Sequence, residues 1–291
     1  MPAGIAYALV AALVWGVYLF WLKREFAGYP ATTLAVLINV FAIGWYAPVT
    51  LRALSGGAGA ELAGAGALHV GVVGLTVVAT AVAVVLVLWA LEHGDVSYVA
   101  PINKIVPAFV LPIEVLVLAQ VLTPLQVAGI VVATLAIYVA NYRSGSLLDP
   151  FRRAAHSRPA QLALLSAVAF AVGDVGKRVA LQELAIPTAI WVPLLLGGVL
   201  LVLLPVAIRN RPASIRADLP KFVLGGALVA VGEHVTTLAF STLPASIASP
   251  IINTQAIVAV LLGGVLLKEA GLRIRLVAAV LAVTGVTMIA I

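Results

Sequence analysis

Lys104, Glu114, Asp174, Glu233 and His234 lie within long, otherwise apolar stretches of the sequence. In the middle of a membrane-spanning helix an ionisable side chain costs on the order of 2.5–3.5 kcal/mol on insertion scales, so each needs a partner, a wet cavity or a route to an interface. Lys104 follows Pro101 and Asn103. It reads either as a lysine snorkelling to the membrane surface or as a cationic anchor for a carboxylate or phosphate. Pro101 removes a backbone donor and can free carbonyls nearby, as a cavity wall requires. Glu114 is ten residues beyond Lys104 on the same helix, close to three turns, and reads as a gate or cavity residue or as a structural one. Glu233 and His234 are adjacent and point about 100° apart on a helix. Glu233 reads as a buried ion-pair or hydrogen-bonding partner, or as a counter-ion to Lys104, a ligand for a substrate amine or a proton carrier. His234 titrates in the physiological range, and otherwise serves as a hydrogen-bonding group. Asp174 and Lys177 are three residues apart, share a helix face and can neutralise each other; otherwise Asp174 lines a pathway. Trp15 is placed to stack on a substrate or to pack. Asn39 reads as an interhelical hydrogen-bonding group.

Other chemistries find no residues. There is no Gly-rich phosphate loop ending in Gly-Lys-Ser/Thr, so ATP drive has no support. His69, His93, His156 and His234 have no zinc-ligand spacing. With no cysteine there are no thiolate ligands, disulfides or thiolate nucleophiles. Ser97 and Ser246 lack a His–acid partnership and read as helix N-caps. The expectation is a protein with no cofactor, no metal and no catalytic residues.

The elements that position these groups follow from composition. Of 291 residues, 63% are hydrophobic and 10% charged, against about 25% charged in soluble domains; the mean hydropathy is +1.18. That polar inventory cannot cover a water-facing surface. A net charge of +6 fits cytoplasmic anchoring loops better than nucleic-acid binding. Apolar segments at about 4–22, 31–51, 67–91, 97–119, 123–141, 159–180, 187–208, 222–242, 246–267 and 272–291 predict ten transmembrane helices. Their unbroken hydrophobicity excludes barrel strands, which alternate. Trp21, Tyr18 and Tyr29 fit an interfacial belt. No basic residue precedes the first segment, which is too long for a cleavable signal. The expectation is a multi-pass protein of a prokaryotic plasma (inner) membrane.

The chain repeats itself. Ser97-Tyr-Val-Ala-Pro-Ile102 and Ser246-Ile-Ala-Ser-Pro-Ile251 match at an offset of 149, which also aligns Gln120 with Glu269, Ala133 with Ala282 and Lys104 with Asn253. Gly16 and Pro30 match Gly173 and Pro187 at an offset of 157. The division is a first five-helix repeat at 1–145, a basic linker at 146–158 and a second repeat at 159–291. Because five is odd, the repeats have inverted topology, a construction that places a substrate site at the interface of the halves. The proline-marked polar segments at matching places, Asn103-Lys104 and Asn253 with Gln255, then mark that site. Thirteen of the 17 Lys and Arg residues fall in the loops after odd-numbered helices, while Arg52, Lys177 and Arg178 are assigned to the other side. The positive-inside rule then puts both termini outside.

Gln120-Val-Leu-Thr-Pro-Leu-Gln-Val-Ala-Gly129 resembles the end-of-repeat signature of EamA-type proteins of the drug/metabolite transporter superfamily, roughly Gly-Glu-x-Leu-Thr-Pro-x-Gln-x-x-Gly. Leu266-Leu-Lys-Glu269 and Gly285 repeat it loosely, and Trp15-Gly16 is similar too. The chain departs from the pattern at Gln120, where the family has Glu, and in the charge-poor loop 52–66. The resemblance implies export of amino acids or other small metabolites, with helices 1, 3, 4, 6, 8 and 9 lining the path and 5 and 10 peripheral. It also implies cytoplasmic termini, against the charge count.

Together these features predict a secondary-active or facilitative transporter, in the direction of export, moving small polar metabolites such as amino acids through a central cavity. Lys104, Asn103, Asn253, Gln255, Trp15, Glu233 and Asp174 are its candidate substrate residues, and Glu233, His234 and Glu114 its candidates for proton coupling or gating. Its partners are the substrate, membrane lipid and protons, with no nucleic acid, and it works as a monomer or homodimer. A flippase for lipid or lipid-linked headgroups is the alternative, and a non-transporting membrane partner a third reading.

Overall fold

A computed structural model describes residues 2–26, 29–58, 65–93, 99, 102–103, 105–141, 157–209, 215–266 and 272–291. Lys104, Pro101, Ser97 and residues 146–156 of the predicted linker lie outside the described residues, as does Glu269.

The described chain is helical throughout, as a backbone in hydrocarbon must be to satisfy its own N–H and C=O groups. The helices are α1 (Pro2–Glu25), α2 (Ala31–Ala53), α3 (Ala67–His93), α4 (Val106–Leu118), α5 (Pro124–Asn141), α6 (Arg158–Arg178), α7 (Thr188–Arg209), α8 (Leu219–Phe240), α9 (Ala245–Asn253), α10 (Gln255–Leu266) and α11 (Leu272–Ala290). Among the described residues seven helical segments are long and apolar enough to cross a membrane, and Val106–Leu118, Pro124–Val139 and Leu276–Ala290 are shorter apolar helices. α9 and α10 together form the ninth span, so the spans form two inverted five-helix repeats.

Packing obeys the exchange of first and second repeat. α3 lies along α6, and the exchanged pair, α8 and α1, is also in contact. α2 with α7, α4 with α9, and α5 with α11 are pairs that map onto themselves, and all three are packed. The interior is built from small residues, with Ala8, Ala11, Ala133, Ala163, Ala167, Ala171 and Ala248 at 0% exposure, whereas Leu116, Val121, Val131, Val280 and Val283 face outward. That distribution suits lipid, where close backbone approach rather than hydrophobic exclusion drives helices together. The α5–α11 crossing is the tightest example: a Cβ on Gly129 would sit 2.7 Å from the Gly285 carbonyl oxygen, and one on Gly285 would sit 2.6 Å from the Ala133 nitrogen.

Two predicted helices are broken, at matching places. The ninth, expected as continuous over 246–267, turns at Thr254, where Thr254 N–H donates to Ile251 O at 3.1 Å and Ile257 N–H to Thr254 O at 2.8 Å. The fourth, expected over 97–119, turns at Ile105, where Ile105 N–H donates to Ile102 O at 3.3 Å and Ala108 N–H to Ile105 O at 2.9 Å. The two tightened turns are 149 residues apart, the offset of the sequence repeat. Pro250 contributes in the second half because it offers no N–H to the carbonyl four residues earlier.

Candidate functional site

Beside these turns is a partly open cavity of about 170 Å³ lined by Asn103, Val106, Phe170, Asp174, Thr236, Phe240, Ser249, Ile252, Asn253 and Gln255. Both repeats contribute, with Asn103 and Val106 from the first and the other residues from the second. Four of the residues singled out by sequence, Asn103, Asp174, Asn253 and Gln255, therefore share one space. Ser249 Oγ donates to Asp174 Oδ2 at 2.6 Å. Asn253 Nδ2 donates to the Ser249 carbonyl at 2.9 Å and to its hydroxyl at 3.2 Å. Asn103 Nδ2 donates to Ser166 Oγ at 2.9 Å, which in turn donates to the Ala83 carbonyl at 2.7 Å. The polar wall is thereby fixed to α3, α6 and α9.

Trp15 stands one layer behind the wall. Its Nε1–H donates to Thr236 Oγ1 at 2.9 Å, and its ring covers Gly232, where an added Cβ would come within 3.0 Å of it. It packs on α8 and orients a cavity hydroxyl.

Glu233 and His234 diverge as adjacent helical residues must. Glu233 turns to α6 and accepts from Lys177 Nζ at 2.8 Å, both side chains being about nine-tenths buried. Lys177 Nζ also lies 5.3 Å from the centroid of the Phe240 ring. His234 turns to α2, where its Nδ1 and the Tyr46 hydroxyl share a hydrogen bond at 2.8 Å. The expected neutralisation of Asp174 by Lys177 is not a direct ion pair: Lys177 contacts Glu233 across the helices and acts on Asp174 through space, and Asp174 takes a hydroxyl from α9. Sequence spacing identified the shared face of Asp174 and Lys177 but not the acid that α8 brings against it.

Glu114 anchors a second cluster, on the face that carries the chain termini. Its side chain is fully buried. Its Oε1 accepts from Ala245 N–H at 2.6 Å and its Oε2 from Ser246 N–H at 2.7 Å and from the Ser246 hydroxyl. Arg178 Nε lies 3.4 Å from Glu114 Oε1 and donates to Gln182 Oε1 at 3.3 Å; Arg178 Nη2 lies 3.4 Å from Glu183. Gln182 Nε2 donates to the carbonyls of Phe240 and Leu243 at 2.6 and 2.8 Å. Glu114 caps α9 from another helix, satisfying N–H groups that a helix start leaves open and meeting its positive dipole end. Ser246 is not the N-cap that the sequence suggested; Pro244 occupies that position without a side-chain cap. Lys177 and Arg178, assigned by charge counting to a loop, are 8% and 9% exposed within the bundle. The cluster lies about one turn, roughly 6 Å, from the Asp174 layer, since Arg178 is four residues beyond it.

The EamA-like transporter family model matches residues 2–142 and again residues 158–291. The chain belongs to this family. The double match covers both halves of this EamA-type protein, in keeping with its ten spans and its exchange-related packing. A solved crystal structure, described in print simply as that of a protein, aligns over 99% of this chain and 98% of its own, with a TM-score of 0.76 at 16% identity; at that identity the likeness carries the fold. No curated protein gives a significant sequence match.

The family signature has a local physical role in this chain. Thr123 N–H donates to Gln126 Oε1 at 3.1 Å, and Gln126 N–H donates to Thr123 Oγ1 at 3.2 Å. This reciprocal capping box, with Pro124 at the first helical position, starts α5 cleanly after the short loop from α4. Sequence reasoning missed Ser249, Ser166, Thr236, Arg178 and Gln182. The available signal for Arg178 was its i,i+4 spacing from Asp174 on a helix already expected to contain both.

Proposed function

We propose that this EamA-family chain is a secondary-active or facilitative carrier that exports small polar metabolites, amino acids among them, across a prokaryotic plasma membrane by alternating access. The observation that carries this reading is the cavity at the two broken spans: it joins polar groups of both repeats, Asn103 with Asp174, Ser249, Asn253 and Gln255. Interrupted helices at a repeat interface are the usual setting of a transporter's substrate site. A cavity of about 170 Å³ suits a molecule of amino-acid size. Family membership supports movement of small solutes.

In this reading the Glu114–Arg178 cluster closes the route on the termini face. It joins α4 of the first repeat to α6 and the start of α9 of the second, so opening that face separates groups that now contact one another. Glu233 and His234 are engaged by Lys177 and Tyr46, which leaves Asp174 as the acid on the cavity wall among the described residues. Asp174 is accordingly the proposed proton-coupling or substrate-contacting acid.

The test is efflux from liposomes containing the purified protein and loaded with an amino-acid mixture, each component measured by mass spectrometry. Saturable efflux of at least one component is expected, falling at least tenfold when Asn253→Leu fills the cavity. Efflux no faster than from protein-free vesicles, or unaffected by Asn253→Leu in a folded protein, would overturn the proposal.

A further inference from the structure

The buried charges of the described helices are unevenly matched. Glu233 has Lys177 at 2.8 Å. Glu114 has two backbone N–H donors, a hydroxyl and Arg178 at 3.4 Å. Asp174, the acid that reaches the cavity, has a neutral hydroxyl, Ser249 Oγ; among the described residues no cation forms an ion pair with it. Lys177, one turn along the same helix, acts on Asp174 through space but makes its direct contact with Glu233. A carboxylate in a low-dielectric interior gains most from a cation brought to it.

The space around Asp174 discriminates among cations. A bare metal ion would need a close shell of several oxygens, whereas this cavity is about 170 Å³ and has Phe170, Phe240, Val106 and Ile252 in its walls. Its lining combines one acid, hydroxyl and amide groups, and aromatic and aliphatic surface. An organic ammonium matches all three: the N–H groups meet Asp174 and Ser249, the positive charge suits aromatic faces, and the carbon body fills the apolar walls. Resting on the carrier reading above, we infer that the cavity selects substrates by a protonated amine, bound at Asp174 with Ser249 and Asn253, and that a substrate carboxylate is not required for binding.

The experiment is a binding measurement on the full-length protein in detergent, by thermal shift and calorimetry, with three probes: n-butylamine hydrochloride, its uncharged counterpart N-butylacetamide, and sodium chloride against sucrose of equal osmolarity. n-Butylamine should stabilise the protein and bind at least tenfold more tightly than N-butylacetamide, as a charge-assisted hydrogen bond demands. Asp174→Asn should remove that preference and Asp174→Glu should keep it, which separates loss of charge from loss of fold. Ser249→Ala should weaken n-butylamine binding less than Asp174→Asn does. Equal binding of N-butylacetamide, an amine preference that survives Asp174→Asn, or Asp174-dependent stabilisation by sodium but not by n-butylamine would overturn the inference. The liposome assay fails independently. Amine binding without flux removes the carrier reading and leaves the site, while flux confined to amine-free solutes and indifferent to Asp174→Asn removes the site and leaves the carrier.

Discussion

Replacing Glu114 by alanine should be among the most destabilising single substitutions in the protein, and its comparison with Arg178→Met shows why. Alanine leaves the N–H groups of Ala245 and Ser246, now bonded at 2.6 and 2.7 Å, without an acceptor where water cannot enter. Each such group costs about 1–3 kcal/mol. It also removes an acid from beside the buried Arg178 guanidinium, and breaking a buried pair from one side costs about 3–5 kcal/mol. These contributions overlap, so the expected loss is about 3–5 kcal/mol. Arg178→Met takes away a more distant contact, 3.4 Å against 2.6–2.7 Å, and leaves the carboxylate with three donors and the positive end of α9. Its expected loss is about 2 kcal/mol. Glu114→Gln retains one acceptor oxygen and should fall between the two. Denaturant unfolding in mixed micelles, followed by tryptophan fluorescence with the fully buried Trp191 as a reporter, measures all three. If Arg178→Met cost as much as Glu114→Ala, the carboxylate would be chiefly an ion-pair partner, and the account of it as a cap for α9 would be wrong.

Two further outcomes follow from the packing. Lys177→Met and Glu233→Leu should each cost about 3–5 kcal/mol alone, and the double variant should recover most of that loss, because two unpaired buried charges are worse than none; strictly additive losses in a double-mutant cycle would show that the 2.8 Å contact is not an energetic unit. Gly129→Val should lose about 1–3 kcal/mol or more from overpacking, since its Cβ would meet the Gly285 carbonyl at 2.7 Å. Gly44→Ala has nothing within 4 Å of the new atom and should be neutral or slightly stabilising, so equal losses at the two sites would refute the close-approach argument.

The layout of spans was legible because hydrocarbon imposes one rule on every segment: about twenty apolar residues in a helix. The cavity was partly legible for a related reason. A polar side chain in such a segment needs an explanation, and Asn103, Asp174, Asn253 and Gln255 do line one space. What stayed hidden was the choice of partner. Spacing along α6 offered Lys177 to Asp174, but the ammonium lies against α8 and bonds Glu233, a contact 56 residues away in sequence. Arg178 was lost to a loop in the charge count because a cation near a helix end is usually solvated; here the chain continues as a π-helical turn, Val179–Glu183, that keeps it under cover. Ser246 was read as a cap for its own helix, whereas the carboxylate that does the capping is 132 residues earlier. The kink at Thr254 was marked by Pro250, and its counterpart at Ile105 by Pro101 at the same offset of 149.

The main-chain contact between Gly129 and Gly285 has a consequence for biogenesis. The ribosome completes α5 long before it has made α11, the last helix of the sequence. For that interval the groove of α5 at Gly129 and Ala133 has no native occupant, and a narrow furrow of small residues in a bilayer is open to lipid or to a neighbouring chain. Native packing of α5 therefore waits for α11 to seat itself in a notch made long before it, and a polypeptide stopped before residue 272 would leave that notch open to lipid or to other chains.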